Sequence, residues 1–261
     1  MSTVMNKATD YLNKQIDNDE NNAAKLAGAR GTAAVNTKLL LQNISKVYGD
    51  GDTSVQVLDH ISLEVKAGEF VALVGPSGAG KSTFLSIAGA LLSPTSGQIW
   101  IGNQEISQLP EKKLNQIRLD KIGFVFQSAN LIPYLSVIDQ LILIGELAGK
   151  SRRESHAKAE KLLRELGLGH RLKHYPDSLS GGERQRVSIA RAWMNDPEII
   201  LADEPTASLD SERGRAVVEM LAAEVKQRGK AAVMVTHDHR MLDLCDRIVY
   251  IEDGKLSERE L

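Results

Sequence analysis

The rhythm of apolar and polar positions changes along the chain and divides it into segments. Residues 1–37 hold no sustained period: Asn, Asp, Lys, Ala and Gly dominate, residues 18–22 are strongly polar, and residues 27–34 are mostly small. Such a stretch buries too little apolar surface to offset the entropy of ordering it, so it reads as a tail; Tyr11, Leu12 and Ile16 could line one face of a short helix. From Lys38 the pattern is that of a folded domain. Residues 39–44, 55–58 and 61–65 read as strands, with a Gly-Asp-Gly-Asp loop after Tyr48. Residues 70–74 form a continuous apolar run, and residues 83–92 carry apolar positions at helical spacing. Residues 98–101, ahead of Gly102-Asn103, predict a hairpin strand; a helix over 112–119 and an apolar strand over 122–126, ending at Gln127, come next.

Residues 128–182 hold no strand pattern. Helical periodicity over 137–147 and 153–166 predicts an α-helical insertion there. A helix over 183–194, a strand over 199–202, a helix over 213–227 and strands over 231–235 and 247–251 follow, and Asp253-Gly254 turns the chain before a short end. Strands alternating with helices predict an α/β fold with a largely parallel sheet covered on both faces.

Composition adds mainly exclusions. The 261 residues, 42% apolar and 25% charged, are those of an ordinary globular protein with ample core. A formal net charge of −2 argues against a nucleic-acid partner, and pairs such as Lys112-Lys113 and Arg152-Arg153 sit among acids as solvated faces. One cysteine, Cys245, excludes a disulfide framework and suits a reducing compartment. No run of apolar residues is long enough to span a membrane: residues 135–148 are too few and are broken by Asp139, Gln140 and Glu146. The first residues lack a secretion signal, so the expected location is the cytoplasm.

The candidate chemistry starts between the strand at 70–74 and the helix after it. Gly75-Pro-Ser-Gly-Ala-Gly-Lys81-Ser82-Thr83 has the spacing of a phosphate-binding loop in the strand–turn–helix context that motif requires. Backbone N–H groups around Gly75, Ser77, Gly78 and Gly80 can turn inward as a nest for phosphate oxygens, and the helix start adds further donors. Lys81 brings a full charge to the outer phosphates; Ser82 offers a hydroxyl to Mg²⁺, with Thr83 beside it. A second strand, residues 199–202, ends in adjacent carboxylates. Asp203 is placed to hold Mg²⁺, and Glu204 to polarise an attacking water. Gln127 and His237, each just past a strand, would alone read as a strand terminus and a turn histidine. A doubly wound sheet would deliver both to the same edge, where an amide near Mg²⁺ and an imidazole near the γ-phosphate are sensible chemistry. Leu179-Ser180-Gly181-Gly182-Glu183 is another glycine turn opening a helix, hence a second anion site. Ser180 and Glu183 also satisfy the S-x-x-E capping box.

Taken in order, these motifs resemble the ATP-binding subunit of an ABC transporter over residues 38–256, with residues 257–261 left as a C-terminal tail. The resemblance implies a P-loop NTPase (RecA-like) parallel-sheet core, an N-terminal antiparallel β subdomain and an inserted α-helical subdomain at about residues 128–182. It implies that Leu179 to Glu183 is the family's signature sequence, whose fifth position is often Gln. It further implies that Ser208-Leu209-Asp210 is the D-loop, Gln127 the Gln loop, His237 the switch histidine, and Tyr48 the aromatic residue that stacks on adenine; Tyr48 packing on the sheet is the alternative. ATP and Mg²⁺ are the implied ligands. Two such subunits pair head to tail in the family, the signature turn of one (Ser180, Gly181, Gly182, Glu183) closing over the ATP held by the other. An integral membrane permease would dock near residues 127–135 and hold the subunit peripherally on the inner face of the cell membrane.

Val55-Gln-Val-Leu58, Ile122-Gly-Phe-Val-Phe-Gln127, Asn130-Leu-Ile-Pro133 and Leu201-Ala-Asp-Glu-Pro-Thr206 resemble one branch, that of macrolide exporters, lipoprotein-releasing ATPases, haem exporters and the FtsE-type cell-division ATPase. Residues 127–133 with Cys245-Asp-Arg247 are most similar to haem- and glycolipid-exporter ATPases, so export or extraction from the membrane is the expectation. The short end after the last strand also suggests no C-terminal regulatory domain. An amino-acid importer ATPase shares every catalytic motif and remains open. A soluble ABC ATPase acting on DNA or ribosomes would need a long coiled coil, tandem cassettes or a basic groove. A kinase would leave the second turn and His237 idle, a GTPase lacks its Asn-Lys-x-Asp reader, and a dinucleotide fold would need Gly at position 83.

Overall fold

The computed structural model describes residues 36–50 and 53–258. The tail expected over residues 1–37 lies almost wholly outside the described residues, as do Gly51, Asp52 and residues 259–261. In chain order the elements are β1 (Thr37–Tyr48), β2 (Val55–Lys66), β3 (Phe70–Val74), α1 (Lys81–Ala88), β4 (Ser96–Ile101), β5 (Gln104–Glu105), α2 (Glu111–Lys121) and β6 (Ile122–Val125). They continue with α3 (Val137–Leu147), α4 (Arg152–Glu165), α5 (Gly181–Ala192), β7 (Ile199–Asp203), α6 (Ser211–Arg228), β8 (Ala231–Val235), β9 (Arg247–Glu252) and β10 (Lys255–Glu258). Short 3₁₀ turns at Pro176–Ser178 and His239–Leu244 precede α5 and β9.

Six strands form one sheet in the order β10-β9-β3-β8-β7-β6, with every pairing parallel except β10 with β9. The apolar runs follow from burial on both faces. Along β7 and β8, Ile199, Leu201, Ala231, Val233 and Val235 join the core shared with α1 and the antiparallel strands. Ile200, Ala202, Ala232 and Met234 join the opposite core, with Leu141 and Ile142 of α3, Leu162 and Leu163 of α4, Val187 and Ile189 of α5, and Val217, Val218 and Leu221 of α6. A four-stranded antiparallel sheet, β2-β1-β4-β5, lies on the α1 side and contributes Leu39, Leu41, Ile61, Leu63 and Ile99 to the first core. This is the α/β architecture expected, antiparallel subdomain and helical insertion included.

Beyond shifts of one to four residues at the ends of several elements, three elements differ from the sequence expectation. The strands expected over 55–58 and 61–65 are one strand, β2, paired with β1 through register shifts. Asn43 and His60 take positive φ (50° and 49°) there, and hydroxyls receive the N–H groups the irregularity frees: Asn43 donates to Ser62 Oγ and His60 to Ser45 Oγ, both at 3.0 Å. The helix expected over 83–92 is α1, which starts two residues earlier and stops at Ala88, because Gly89 caps it and Ala90 turns left-handed (φ 56°). The short end is a strand: Asp253 (φ 46°) and Gly254 (φ 75°) make a two-residue hairpin turn, and β10 pairs back on β9. Ser257 and Glu258, expected in a tail, belong to that strand.

A buried amide controls the entry to the helical insertion. Gln140 of α3 is 1% exposed; its Nε2 donates to Ile132 O (2.7 Å) and Leu135 O (3.1 Å), and its Oε1 accepts from Ile132 N (3.1 Å). On the other side of the molecule Phe84, fully buried, carries α1 into the core between the two sheets. Replacing Phe84 with Ala should cost about 3–5 kcal/mol. Urea unfolding followed by circular dichroism checks this, and an unshifted midpoint would contradict the packing described.

Candidate nucleotide site

Parallel pairing brings four strand ends to one edge. Leu73 of β3, Val235 of β8 and Asp203 of β7 stand level in the ladders, and β6 runs beside β7 with Val125 level with Ala202. Strands are about 4.8 Å apart, so Asp203 starts about 10 Å across the sheet from the strand that leads into the glycine loop. The next residues along these strands are the ones singled out in the sequence: Gly75, His237, Glu204 and Gln127.

The loop lies tight against its neighbours. A Cβ at Gly75 would stand 2.1 Å from Ile251 O of β9, and Gly80 (φ 101°) would push one to 2.9 Å from Val57 O of β2. Only glycine fits either place. Lys81 curls back over the loop, its Nζ donating to Gly75 O at 2.9 Å and Pro76 O at 2.7 Å. Gly80 caps α1 without any side-chain acceptor, so the N–H groups of the first turn, around Ser82 and Thr83, open toward the loop. Ser77 and Gly78, with Pro76 and Ala79, form one wall of a recess of about 380 Å³; Val55, Gln56, Val57, Asp253 and Gly254 form the other. Tyr48 pairs with Val55 in the β1–β2 ladder and is 43% exposed, with the Lys46 ammonium 5.2 Å from its ring centre.

At the end of β7 the two carboxylates diverge. Burial raises the pKa of Asp203 above the ordinary aspartate value; the Glu204 charge adds to the shift and Lys81 opposes it. Glu204 adopts a left-handed backbone (φ 44°), uncommon for a residue with a side chain, and donates its N–H to Val235 O at 2.9 Å. Its carboxylate Oε2 lies 3.1 Å from His237 Nδ1. Gln127 is exposed just beyond β6, in a segment fastened from behind: Gln185 Nε2 donates to Phe126 O at 3.0 Å, and Arg191 donates to Ala129 O at 2.7 Å and Asn130 O at 2.9 Å. An edge that combines inward N–H groups, one ammonium, a half-buried carboxylate, and a second carboxylate beside an imidazole can hold a polyphosphate and activate a water against it.

The second glycine turn lies elsewhere. Ser180 caps α5: its Oγ accepts from Glu183 N (3.2 Å), while Glu183 Oε2 accepts from Ser180 N (2.8 Å), which closes the capping box. Gly181 faces Leu209 and Ser208, and Gly182 is buried. Asp210 caps α6, accepting from Arg213 N at 3.0 Å. Among the described residues no hydrogen bond or ion pair joins residues 75–83 to residues 179–183. Sequence reasoning missed residues 55–57 and Asp253-Gly254 as walls of the recess. Apart from glycines that admit close backbone approach, nothing in the sequence announces them.

Comparison with known proteins decides the family. Residues 58–207 match the family described as ABC transporter. The chain belongs to the ABC transporter family. A Staphylococcus haemolyticus protein provisionally named hemin import ATP-binding protein HrtA is 49% identical over 219 residues, covering 84% of this chain and 99% of the relative. Its Staphylococcus aureus (strain Newman) counterpart is 47% identical over 220 residues, with the same coverage. The dimeric post-hydrolysis structure of the ATP-binding cassette MJ0796, bound to ADP and Pi, superposes with a TM-score of 0.75 at 40% identity, covering 85% of this chain and 100% of that one. This ABC subunit is therefore an ATP-binding, ATP-hydrolysing component of a transporter, in the branch of macrolide-exporter, lipoprotein-releasing and HrtA-type cassettes. No helix among the described residues is long and apolar enough to cross a membrane.

The fifth residue of the second turn gives this ABC subunit a charge-dependent cap. The N–H of Ser180 is the main cause that brings the Glu183 carboxyl down to about 2, with Arg171 adding to the shift (Nε to Oε1 2.8 Å) and burial opposing it; His170 faces the same oxygen at 3.9 Å. A carboxyl whose folded pKa is depressed stabilises the fold fully above its unfolded value of 4.5, and that contribution is lost as pH falls toward 2. Glu183→Gln should therefore lower stability at neutral pH by an amount that shrinks between pH 4.5 and 2. Paired chemical denaturations across that range check this; a gap that stays constant with pH would refute it.

Proposed function

We propose that this subunit binds and hydrolyses MgATP at the edge formed by β3, β8, β7 and β6, in a head-to-tail pair with a second copy, and drives a separate membrane permease that handles haem. The observation that carries the reading is the placement of Asp203, Glu204, His237 and Gln127 at or just past the ends of β7, β8 and β6, beside β3, whose loop leads into Lys81, with Glu204 paired to His237 at 3.1 Å.

In this reading Tyr48 stacks on adenine at the mouth of the recess. The backbone of Gly75, Ser77, Gly78 and Gly80, with Lys81 and Thr83, holds the phosphates. Ser82, Asp203 and Gln127 offer only oxygen donors, the ligand set Mg²⁺ prefers, and they fit that ion. When bound, Mg²⁺ supplies charge neutralisation to the phosphates. Glu204 accepts hydrogen-bond character from the attacking water while His237, held by that same carboxylate, orients toward the γ-phosphate. As water attacks the γ-phosphorus and the bond to ADP breaks, such chemistry needs positioning and charge stabilisation rather than a covalent bond to the protein. Ser180, Gly181, Gly182 and Glu183 form the cover for the partner copy's nucleotide, with Asp210 at the pair's seam. That no hydrogen bond or ion pair among the described residues joins this turn to the phosphate loop supports a composite site, as does the dimeric form of the MJ0796 cassette. The permease docks at residues 127–135, beside a recess of about 370 Å³ lined by Phe124, Phe126, Ile132 and Leu143. That docking places the subunit at the cytoplasmic face of the membrane.

Glu204→Gln should abolish turnover yet retain ATP and accumulate a dimer, whereas Lys81→Ala should lose ATP binding; undiminished hydrolysis by Glu204→Gln would sink the assignment. Mixing Ser180→Arg with Lys81→Ala subunits should rebuild one intact composite site and restore activity to the mixed dimer. No recovery would argue against closure in trans.

Two readings of direction stand. The branch resemblance supports export; the HrtA relatives carry a name that says import. ATP-driven closure of the pair is the same in both, so the permease sets the direction. Haem flux in inverted membrane vesicles holding the subunit with its permease separates them. ATP-dependent uptake into inverted vesicles supports export, loss of preloaded haem supports import, and no haem movement in either orientation removes haem as the substrate.

A further inference from the structure

The second glycine turn is a weak helix start. Gly181 and Gly182 occupy the first two positions of α5, where glycine leaves the backbone least constrained. A capping box ties Ser180 to Glu183 but does not by itself fix the turn against the body of the protein. Arg171, in the loop between α4 and α5, supplies that fixation. Its Nε donates to Glu183 Oε1 at 2.8 Å, while Oε2 of the same carboxylate takes the Ser180 N–H at 2.8 Å. One buried carboxylate thus bridges a guanidinium and the backbone of the turn, with charge-assisted bonds on both oxygens.

Arg171 is itself held. Its N–H donates to Leu168 O at 2.8 Å, its carbonyl accepts from His174 N at 2.9 Å, and its Nη1 lies 3.3 Å from His174 Nε2. The carbonyls of Leu172 and His174 receive the N–H groups of Ile138 (3.0 Å) and Val137 (2.8 Å), which fastens the loop to the start of α3. Within the turn and its own helix, Arg184 donates to Leu179 O at 2.5 Å. Removing Arg171 leaves the turn its internal bonds, the His170 ring 3.9 Å from Glu183 Oε1 and the packing of Gly181 on Leu209, but, among the described residues, no hydrogen bond to the Glu183 side chain from outside the turn.

We propose that Arg171 is a positioning residue for ATP hydrolysis: through Glu183 it sets the direction in which the Ser180 hydroxyl and the N–H groups of Gly181 and Gly182 face a nucleotide held by the second copy. This rests on the reading that the turn closes a site in trans. The effect must then fall on the partner's nucleotide and not on the variant's own phosphate loop.

The test uses full-length chains and ATP. Arg171→Met should leave ATP affinity of the subunit unchanged within about twofold and lower kcat roughly tenfold or more, since a small misplacement of a positioning group costs that much. Arg171→Lys, which restores a charge without the planar fork, should recover part of the rate. Heterodimers purified through two tags then separate the arrangements. With Arg171→Met and Lys81→Ala on different chains, one composite site is intact; with both on one chain and a wild-type partner, none is. The first heterodimer should be roughly tenfold more active than the second. A parallel pair built with Ser180→Arg in place of Arg171→Met serves as control. If that control shows the difference and the Arg171 pair does not, the proposal fails while the composite site stands. If neither pair shows it, closure in trans is wrong and the proposal falls with it. Should Arg171→Met not fold by circular dichroism, Arg171→Gln, which removes the charge but keeps a polar end, takes its place in both heterodimers, with the same two outcomes.

Discussion

Parallel hydrogen bonding on both sides of β3 is the constraint on which the site depends. Val71 to Val74 run level with Arg247 to Tyr250 of β9 on one side, and Phe70 to Leu73 with Ala232 to Val235 of β8 on the other. Side chains alternate between faces with period two, so a slip of one residue would turn Val71 and Leu73 out of their core and displace the phosphate loop relative to His237 and Asp203. The loop has no freedom to absorb such a slip, because Gly75 already presses on the carbonyl of Ile251. The positions of lysine, carboxylates and imidazole are set by backbone pairing before any side chain chooses a rotamer.

Electrostatics then divides labour between neighbours of like charge. Asp203 and Glu204 are adjacent in sequence, yet the left-handed turn at Glu204 sends its carboxylate toward His237 and leaves Asp203 facing Lys81 from a half-buried place. Two carboxylates one residue apart on a continuing strand would point to opposite faces of the sheet. Ending the strand between them is what keeps both at the edge.

Much of this was legible from the sequence because it rests on local chemistry. Glycines at fixed offsets before Lys81, an apolar run ending in Asp203-Glu204, and a capping box at Ser180 each state a backbone requirement that only a few conformations meet. What was not legible depends on distant parts of the chain. Nothing local says that β3 lies between β9 and β8, or that residues 55–58 and 61–65 form one strand whose irregularities are absorbed by Ser45 and Ser62. The walls of the recess at Val57 and Gly254 were hidden for the same reason: each reads as ordinary strand or turn until the other sheet is laid against it. The early end of α1 was closer to hand. Gly89 stood inside the expected helix, and a glycine in a short amphipathic pattern is as much a stop as a tolerated interior residue.

The brace made by Gln140 separates two properties of the segment at which we propose the permease docks, its backbone route and its surface. Three hydrogen bonds from a fully enclosed amide set the route of residues 132–135 from the inside, while Tyr134 stands 79% exposed and takes no part in them. Outward residues such as Pro133 and Tyr134 can therefore be exchanged without rerouting the backbone that carries them. On the docking proposed above, a cassette built this way can acquire a new membrane partner by rewriting a few surface letters, leaving the scaffold and the strand ends behind it untouched.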